Sequence, residues 1–193
     1  IVASALSELI GTAENVLIMG HQFADLDCLG SAVGMYKAVR QMGKPAAVVL
    51  NRQRNLAFPL YNRLAQNGYA DAFVEPDLAI DLIGKKTLLV VVDTHLPHIL
   101  ESREVYSACK TVAVIDHHRK MVGHIDNAVI FYHEPYASSA SEMVTELVQY
   151  FGDHVKIGKM EAEALLSGIM LDTKNFVMKT GVRTFEAAAY LRK

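Results

Sequence analysis

Thr111-Val112-Ala113-Val114-Ile115-Asp116-His117-His118-Arg119 is the stretch from which the fold can be read. Its short, β-branched apolar run predicts a strand buried on both faces. The strand ends in one acid and two imidazoles. Polar, metal-capable groups are costly at such a place unless a metal or a substrate receives them. In open α/β sheets, ligands sit beyond the carboxyl ends of the strands. Taken alone, an Asp-His-His is equally well a surface turn carrying three polar residues. Two other strands, however, end in the same way.

The first of these is Val16-Leu17-Ile18-Met19, which runs into Gly20-His21-Gln22-Phe23-Ala24-Asp25-Leu26-Asp27. The second, Thr87-Leu88-Leu89-Val90-Val91-Val92-Asp93, is the strongest strand signal in the chain. Further strands are expected at 46–50, weakly at 72–74, and at 128–132. Between them the apolar spacing predicts helices over 2–13, 29–42, 55–67 (despite Pro59), 77–83 and 98–108. Ser139-Ala140-Ser141-Glu142 has capping-box spacing ahead of a helix that ends near Gly152. An apolar helix over 159–171 precedes Asp172, and a last helix covers 183–193. Strands alternating with helices imply βαβ units and hence a Rossmann-like, doubly wound, mainly parallel α/β sheet with helices on both faces. Neither a Gly-x-Gly-x-x-Gly turn nor a Walker lysine loop is present, so a dinucleotide or P-loop site is not indicated.

The chain has 193 residues, 51% hydrophobic and 21% charged, which suits one full core. A formal net charge of −2 provides no global basic field for a long nucleic-acid partner. The longest apolar runs, such as 88–92, fall far short of the roughly 20 residues that span a bilayer. Membrane contact by this stretch is therefore not expected. The first residue is Ile1, which reads as part of something longer. Cys28 and Cys109 match no zinc motif and make no disulfide framework, so reduced thiols are expected.

His21, Asp25 and Asp27, then Asp93, then Asp116, His117 and His118 all follow strands. Asp172 ends an apolar helix, where a lone carboxylate needs a reason to be buried. Carboxylates converging on one crevice raise one another's pKa. Four aspartates carry about −4, which two divalent cations would balance. Carboxylates with a minority of imidazoles favour manganese first, then magnesium or iron(II), and not structural zinc. Two such ions about 3.5–4 Å apart ionise a bridging water and stabilise the attacking and leaving oxygens of a phosphoester. Asp93 lies between the other two ligand-bearing strands in chain order and is the natural shared ligand.

His21-x-x-x-Asp25-x-Asp27, Asp93-Thr94-His95, Asp116-His117-His118 and Asp172-Thr173 resemble the four motifs of the DHH phosphoesterases, in order and approximate spacing, over essentially the whole chain. Met19-Gly20-His21, 134–139, 172–176 and 180–188 look more narrowly like the membrane-anchored bacterial phosphodiesterases that hydrolyse cyclic di-AMP. In that branch the DHH region follows transmembrane, PAS and degenerate GGDEF segments and precedes a DHH-associated domain. The resemblance implies that residues 1–193 are the DHH catalytic domain of such a protein, at the cytoplasmic face of the membrane. A homodimer is compatible with it.

By position, the resemblance implies one manganese on His21, Asp25 and Asp93, and a second on Asp27, Asp93, His117 and Asp172. His118 would face the scissile phosphate, and Asp116 would orient an imidazole. The implied reaction is attack by a bridging hydroxide on cyclic di-AMP, giving linear 5′-pApA. The same site serves oligonucleotide phosphodiesterases, exonucleases and pyrophosphatases; a metal-loaded regulatory module without turnover is the alternative from another class. Without a DHH-associated domain the isolated stretch is expected to be slow on cyclic di-AMP.

Cys28 replaces an expected small apolar residue. Arg119 is a candidate substrate contact, and Lys120 keeps only part of the branch's basic pair. Ser138 and Ser139 are read first as helix caps and second as phosphate contacts at a helix N-terminus. Arg183 is a candidate substrate contact or a capping arginine. His95, His98, His124, His133 and His154 are read as surface or hydrogen-bonded imidazoles. Tyr132 and Tyr136 are read as packing, with nucleobase contact as the alternative.

Overall fold

The computed structural model describes residues 1–193. The helices are α1 (Val2–Thr12), α2 (Leu26–Gln41), α3 (Phe58–Leu64), α4 (Pro76–Ile80), α5 (Arg103–Ala108), α6 (Ala140–Val148), α7 (Lys159–Thr173) and α8 (Val182–Leu191). The strands are β1 (Asn15–Met19), β2 (Ala46–Val49), β3 (Phe73–Val74), β4 (Thr87–Val92), β5 (Thr111–Asp116) and β6 (Ile130–His133). They form one sheet in the order β3-β2-β1-β4-β5-β6. Every pairing is parallel, as the unbroken apolar runs predict.

Alternation along each strand splits the core in two. Val16, Ile18, Val90, Val92 and Ile115 face a layer containing α1, α2, α3, α6 and α7. Leu17, Met19, Leu89, Val91 and Val114 face a thinner layer containing α4 and α5. The period of two sends neighbouring side chains to opposite faces, so a run that looks uniformly apolar feeds both cores. No helix is long and apolar enough to cross a membrane.

The chain leaves β1 toward β2 and β3, then returns so that β4 lies on the other side of β1. The carboxyl ends of β1 and β4 thus flank a topological switch point, where the sheet opens a crevice. Both ends carry the predicted polar groups.

Several boundaries differ from expectation for local reasons. The expected helix over 98–108 is a 3-10 turn at Pro97–Ile99 followed by α5. Ser102 starts α5 by accepting the Val105 N–H at 3.1 Å. The segment before it is held elsewhere: Gln22 N–H donates to the Ile99 carbonyl at 2.7 Å, and Glu101 N–H to that of Gly20 at 2.9 Å. Pro59 sits in the first turn of α3, and the expected helix beyond Leu64 opens into a wide turn, where Gly68 has φ +96°. The connection from β5 to β6 contains no helix.

Candidate metal centre

α2 begins three residues earlier than the apolar spacing indicates, because Asp25 caps it. Asp25 Oδ1 accepts the Cys28 N–H at 2.9 Å. Asp27 therefore lies in the first helical turn, with a fully buried side chain. Its oxygens accept two further backbone N–H groups, from Ala140 to Oδ2 at 2.9 Å and from Ser141 to Oδ1 at 2.8 Å. The N-terminus of α6 is thus already occupied by an anion from this chain. That corrects the phosphate reading of Ser138 and Ser139. Both are fully buried, and Ser139 caps α6 by accepting the Glu142 N–H at 3.1 Å.

α7 must approach closely for this arrangement to close. A Cβ on Gly168 would lie 2.9 Å from the Asp27 Cα and would also collide with the Ser141 hydroxyl. Only glycine leaves that space. One turn further on, α7 delivers Asp172, half-buried, to the same place.

Asp93 follows β4 with φ +63°, a left-handed conformation that costs a non-glycine residue on the order of 1 kcal/mol. In that pose its carboxylate faces two imidazoles, with Oδ2 at 3.2 Å from His21 Nε2 and Oδ1 at 3.2 Å from His117 Nε2. β4 lies between β1 and β5, so Asp93 is central in space as well as in sequence. His117 Nε2 is also 3.1 Å from Asp172 Oδ2 and 3.5 Å from Asp27 Oδ2. Ligand atoms of Asp27, Asp93, His117 and Asp172 all lie within 4.8 Å of one another. His21 Nδ1 bonds the Gln22 carbonyl at 2.8 Å, leaving Nε2 to face Asp93.

On the His21 side the tight trio is His21, Cys28 and Asp93. Asp25 stands at its rim, 3.9 Å from His21 Nε2. Cys28 is buried, and burial followed by the neighbouring carboxylates raises its thiol well above the ordinary range. Asp116 accepts from His118 Nδ1 at 2.8 Å and faces His95 Nδ1 at 2.5 Å. His95 is 1% exposed, a hydrogen-bonded imidazole as expected, though its partner was not legible. Arg119 is exposed on the loop after β5. Arg183 is not brought to the cluster: its guanidinium donates to both Glu146 oxygens, at 2.7 and 2.9 Å.

Charge is crowded here. Burial raises the Asp25, Asp27 and Asp172 carboxyls above the usual range, with nearby carboxylates adding to the shift. Burial alone would lower His21 and His117, but bonds to the surrounding aspartates outweigh it and push them up to about 9 and about 12. Asp116 runs the other way. Burial would raise it, yet the two facing imidazoles bring it down to about 2. A convergence of oxygen and imidazole donors in a crowd of negative charge fits divalent cations.

The chain is 43% identical to the cyclic-di-AMP phosphodiesterase GdpP of Geobacillus thermodenitrificans and 41% identical to the cyclic-di-AMP phosphodiesterase PdeA of Listeria monocytogenes. Each match covers 100% of this chain and 30% of the relative, so the chain spans under a third of their length. An exopolyphosphatase-related protein from Bacteroides fragilis shares the fold, with TM-score 0.81 and 21% identity over 99% of this chain and 56% of that one. Residues 15–169, the span from β1 to the glycine-bearing turn of α7, match the N-terminal domain of the DHH family, and the chain belongs to that family.

Proposed function

We propose that this chain is the DHH catalytic domain of a manganese-dependent phosphodiesterase that converts cyclic di-AMP to linear 5′-pApA, within a longer protein anchored at the cytoplasmic face of a bacterial membrane. The observation that carries the reading is the meeting of Asp27, Asp93, His117 and Asp172 within 4.8 Å at the sheet's switch point, in a chain resembling two cyclic-di-AMP phosphodiesterases along its whole length.

His21, Asp25 and Asp93 would hold one ion, and Asp27, Asp93, His117 and Asp172 the other. Bound there, divalent ions supply Lewis-acid stabilisation of charge developing on phosphoryl oxygens. The α6 amides fix the Asp27 carboxylate, and the Gln22 carbonyl fixes the His21 ring, so the donors are arranged before any ion arrives. His118 is half exposed and has Nδ1 engaged by Asp116, so Nε2 is the nitrogen left for substrate. As an imidazolium it donates the Nε2 proton to the departing ribose 3′-oxygen as water adds to phosphorus and the P–O3′ bond breaks, the water's surplus proton passing to solvent. Arg119, exposed on the loop after β5, would contact a substrate phosphate. A cavity of about 620 Å³ lined by Tyr136, Phe176 and Phe185 opens beside the loops that follow β6 and Asp172, and suits a planar base.

The test is product analysis of the intact protein carrying this chain, with cyclic di-AMP, linear dinucleotides, oligonucleotides and pyrophosphate, each with and without manganese. 5′-pApA formed only with metal supports the reading. Preferential hydrolysis of oligonucleotides or pyrophosphate would replace it with another DHH activity, and metal binding without product would favour a regulatory module.

A further inference from the structure

Asp116 faces two imidazoles, and only one of them has a place in the proposed reaction. His118 Nδ1 meets Oδ1 at 2.8 Å, and His95 Nδ1 meets Oδ2 at 2.5 Å. His95 belongs to the loop after β4, two residues beyond Asp93, and is buried. Its remaining ring nitrogen, Nε2, accepts the Met121 backbone N–H at 3.0 Å. An amide N–H can only donate, so Nε2 carries the lone pair and the ring proton sits on Nδ1. That proton points at Asp116. The main chain thereby dictates the His95 tautomer, and His95 occupies one oxygen of the fully buried Asp116 carboxylate.

With Oδ2 taken, the oxygen facing His118 is Oδ1; it accepts the Nδ1–H, so in the imidazolium the second proton sits on Nε2, on the side away from Asp116. Two further contacts hold the frame. Ile125 N–H donates to the His95 carbonyl at 2.8 Å, and His133 Nε2 bonds the His118 carbonyl. The loop after β5 is thus tied to the loop after β4 through Ile125 and to the end of β6 through His133.

We propose that His95 is a positioning residue for His118: acting through Asp116, it fixes the ring orientation that presents His118 Nε2 to the leaving oxygen. The proton donation rests on the phosphodiesterase reading above, while the positioning itself does not. A histidine that merely fills core space would need no particular acceptor. Here the acceptor is the carboxylate whose other oxygen steers the exposed imidazole.

Two variants separate the roles. His95→Leu keeps bulk and removes the donor; His95→Asn keeps an N–H near the position of Nδ1. In the intact protein with manganese, His95→Leu should lower kcat on cyclic di-AMP by about 10²-fold. KM and the Kd for manganese should stay within about threefold, and His95→Asn should recover about tenfold of the loss. On bis(p-nitrophenyl) phosphate, whose leaving group departs without a proton, His95→Leu should stay within about threefold of the parent. Equal losses on both substrates, or weakened manganese binding, would place His95 in the metal centre or the fold and overturn the proposal, as would an unchanged kcat on cyclic di-AMP.

An independent reading comes from the ring ¹⁵N resonances of His118 in this chain loaded with magnesium. They should move in His95→Leu and stay near the parent's in His95→Asn. Unmoved resonances in His95→Leu would overturn the positioning. If the parent does not turn over cyclic di-AMP at all, the reaction reading fails while the resonances still decide the positioning.

Discussion

Asp27 and Ser141, 114 residues apart in sequence, meet through a backbone hydrogen bond of 2.8 Å from the Ser141 N–H to the Asp27 carboxylate. Ala140 adds a second at 2.9 Å. A helix N-terminus that could have received a substrate anion holds a carboxylate of the chain itself, and orients it toward His117.

Gly168 makes room for that pair, so Gly168→Ala should be costly far beyond one methyl group. The added Cβ meets the Asp27 backbone and the Ser141 hydroxyl, and relief requires moving α7 or α2. Overpacking of this kind costs about 1–3 kcal/mol, or roughly 2–4 °C in Tm per kcal/mol for a chain of this size. Manganese affinity should fall at least tenfold as Asp27 shifts. Thermal unfolding and calorimetric titration measure the two; a variant with parental Tm and affinity would show that the helices have slack.

Asp93 faces an imidazole with each oxygen, so its removal should affect both proposed ion sites. Asp93→Ala is expected to lose both manganese ions in a titration that finds two per parent chain. Asp172→Ala should weaken one site only. Retention of one full-affinity ion by Asp93→Ala would refute its shared position.

The metal-free chain should be more stable at pH 6 than at pH 9. Burial followed by Asp93 or other neighbouring charge raises the Asp25, Asp27 and Asp172 carboxyls, so folding gains as pH falls toward the ordinary carboxylate range. For His21, burial is outweighed by Asp93 and the folded value rises to about 9. Its contribution is complete below about 6.5 and is lost as pH rises through about 9. Asp116, lowered to about 2, acts oppositely only at acid pH, below about 4. Circular-dichroism melts should therefore show Tm falling by a few degrees from pH 6 to 9, with His21→Gln flattening the slope. A rise in Tm over that interval would contradict the assignment.

Arg183→Ala should change stability and leave substrate binding alone. The Arg183–Glu146 fork is partly exposed, so solvent screening holds its contribution below about 1 kcal/mol. Tm should drop by about 2–4 °C at most, with KM for cyclic di-AMP in the intact protein unchanged. A KM raised tenfold would restore Arg183 as a substrate contact.

Much of this molecule is legible in its sequence, because the signals are local. The period of two or 3.6 in apolar residues marked the strands and most helices, and the unbroken run at 88–92 implied a parallel, doubly covered sheet. Element boundaries depart from that pattern where contacts distant in sequence set them. The segment before Ser102 pairs with the His21 loop, and the first turn of α2 is set by the Asp25 cap. Residue types at strand ends identified a crowded acid–imidazole site, since such groups have few other reasons to collect there.

Local pattern along the chain specifies the sheet, its handful of chemical groups and the order in which they arrive. Packing sets which atom faces which. It turned the α6 N-terminus toward Asp27 and drew Arg183 to Glu146. It also put Cys28 in the tight trio, with Asp25 at its rim, and joined His95 to Asp116. Periodicity is a property of neighbours along the chain. Asp27 and Ala140 lie 113 residues apart, and the hydrogen bond between them forms only once α2, α6 and α7 have packed.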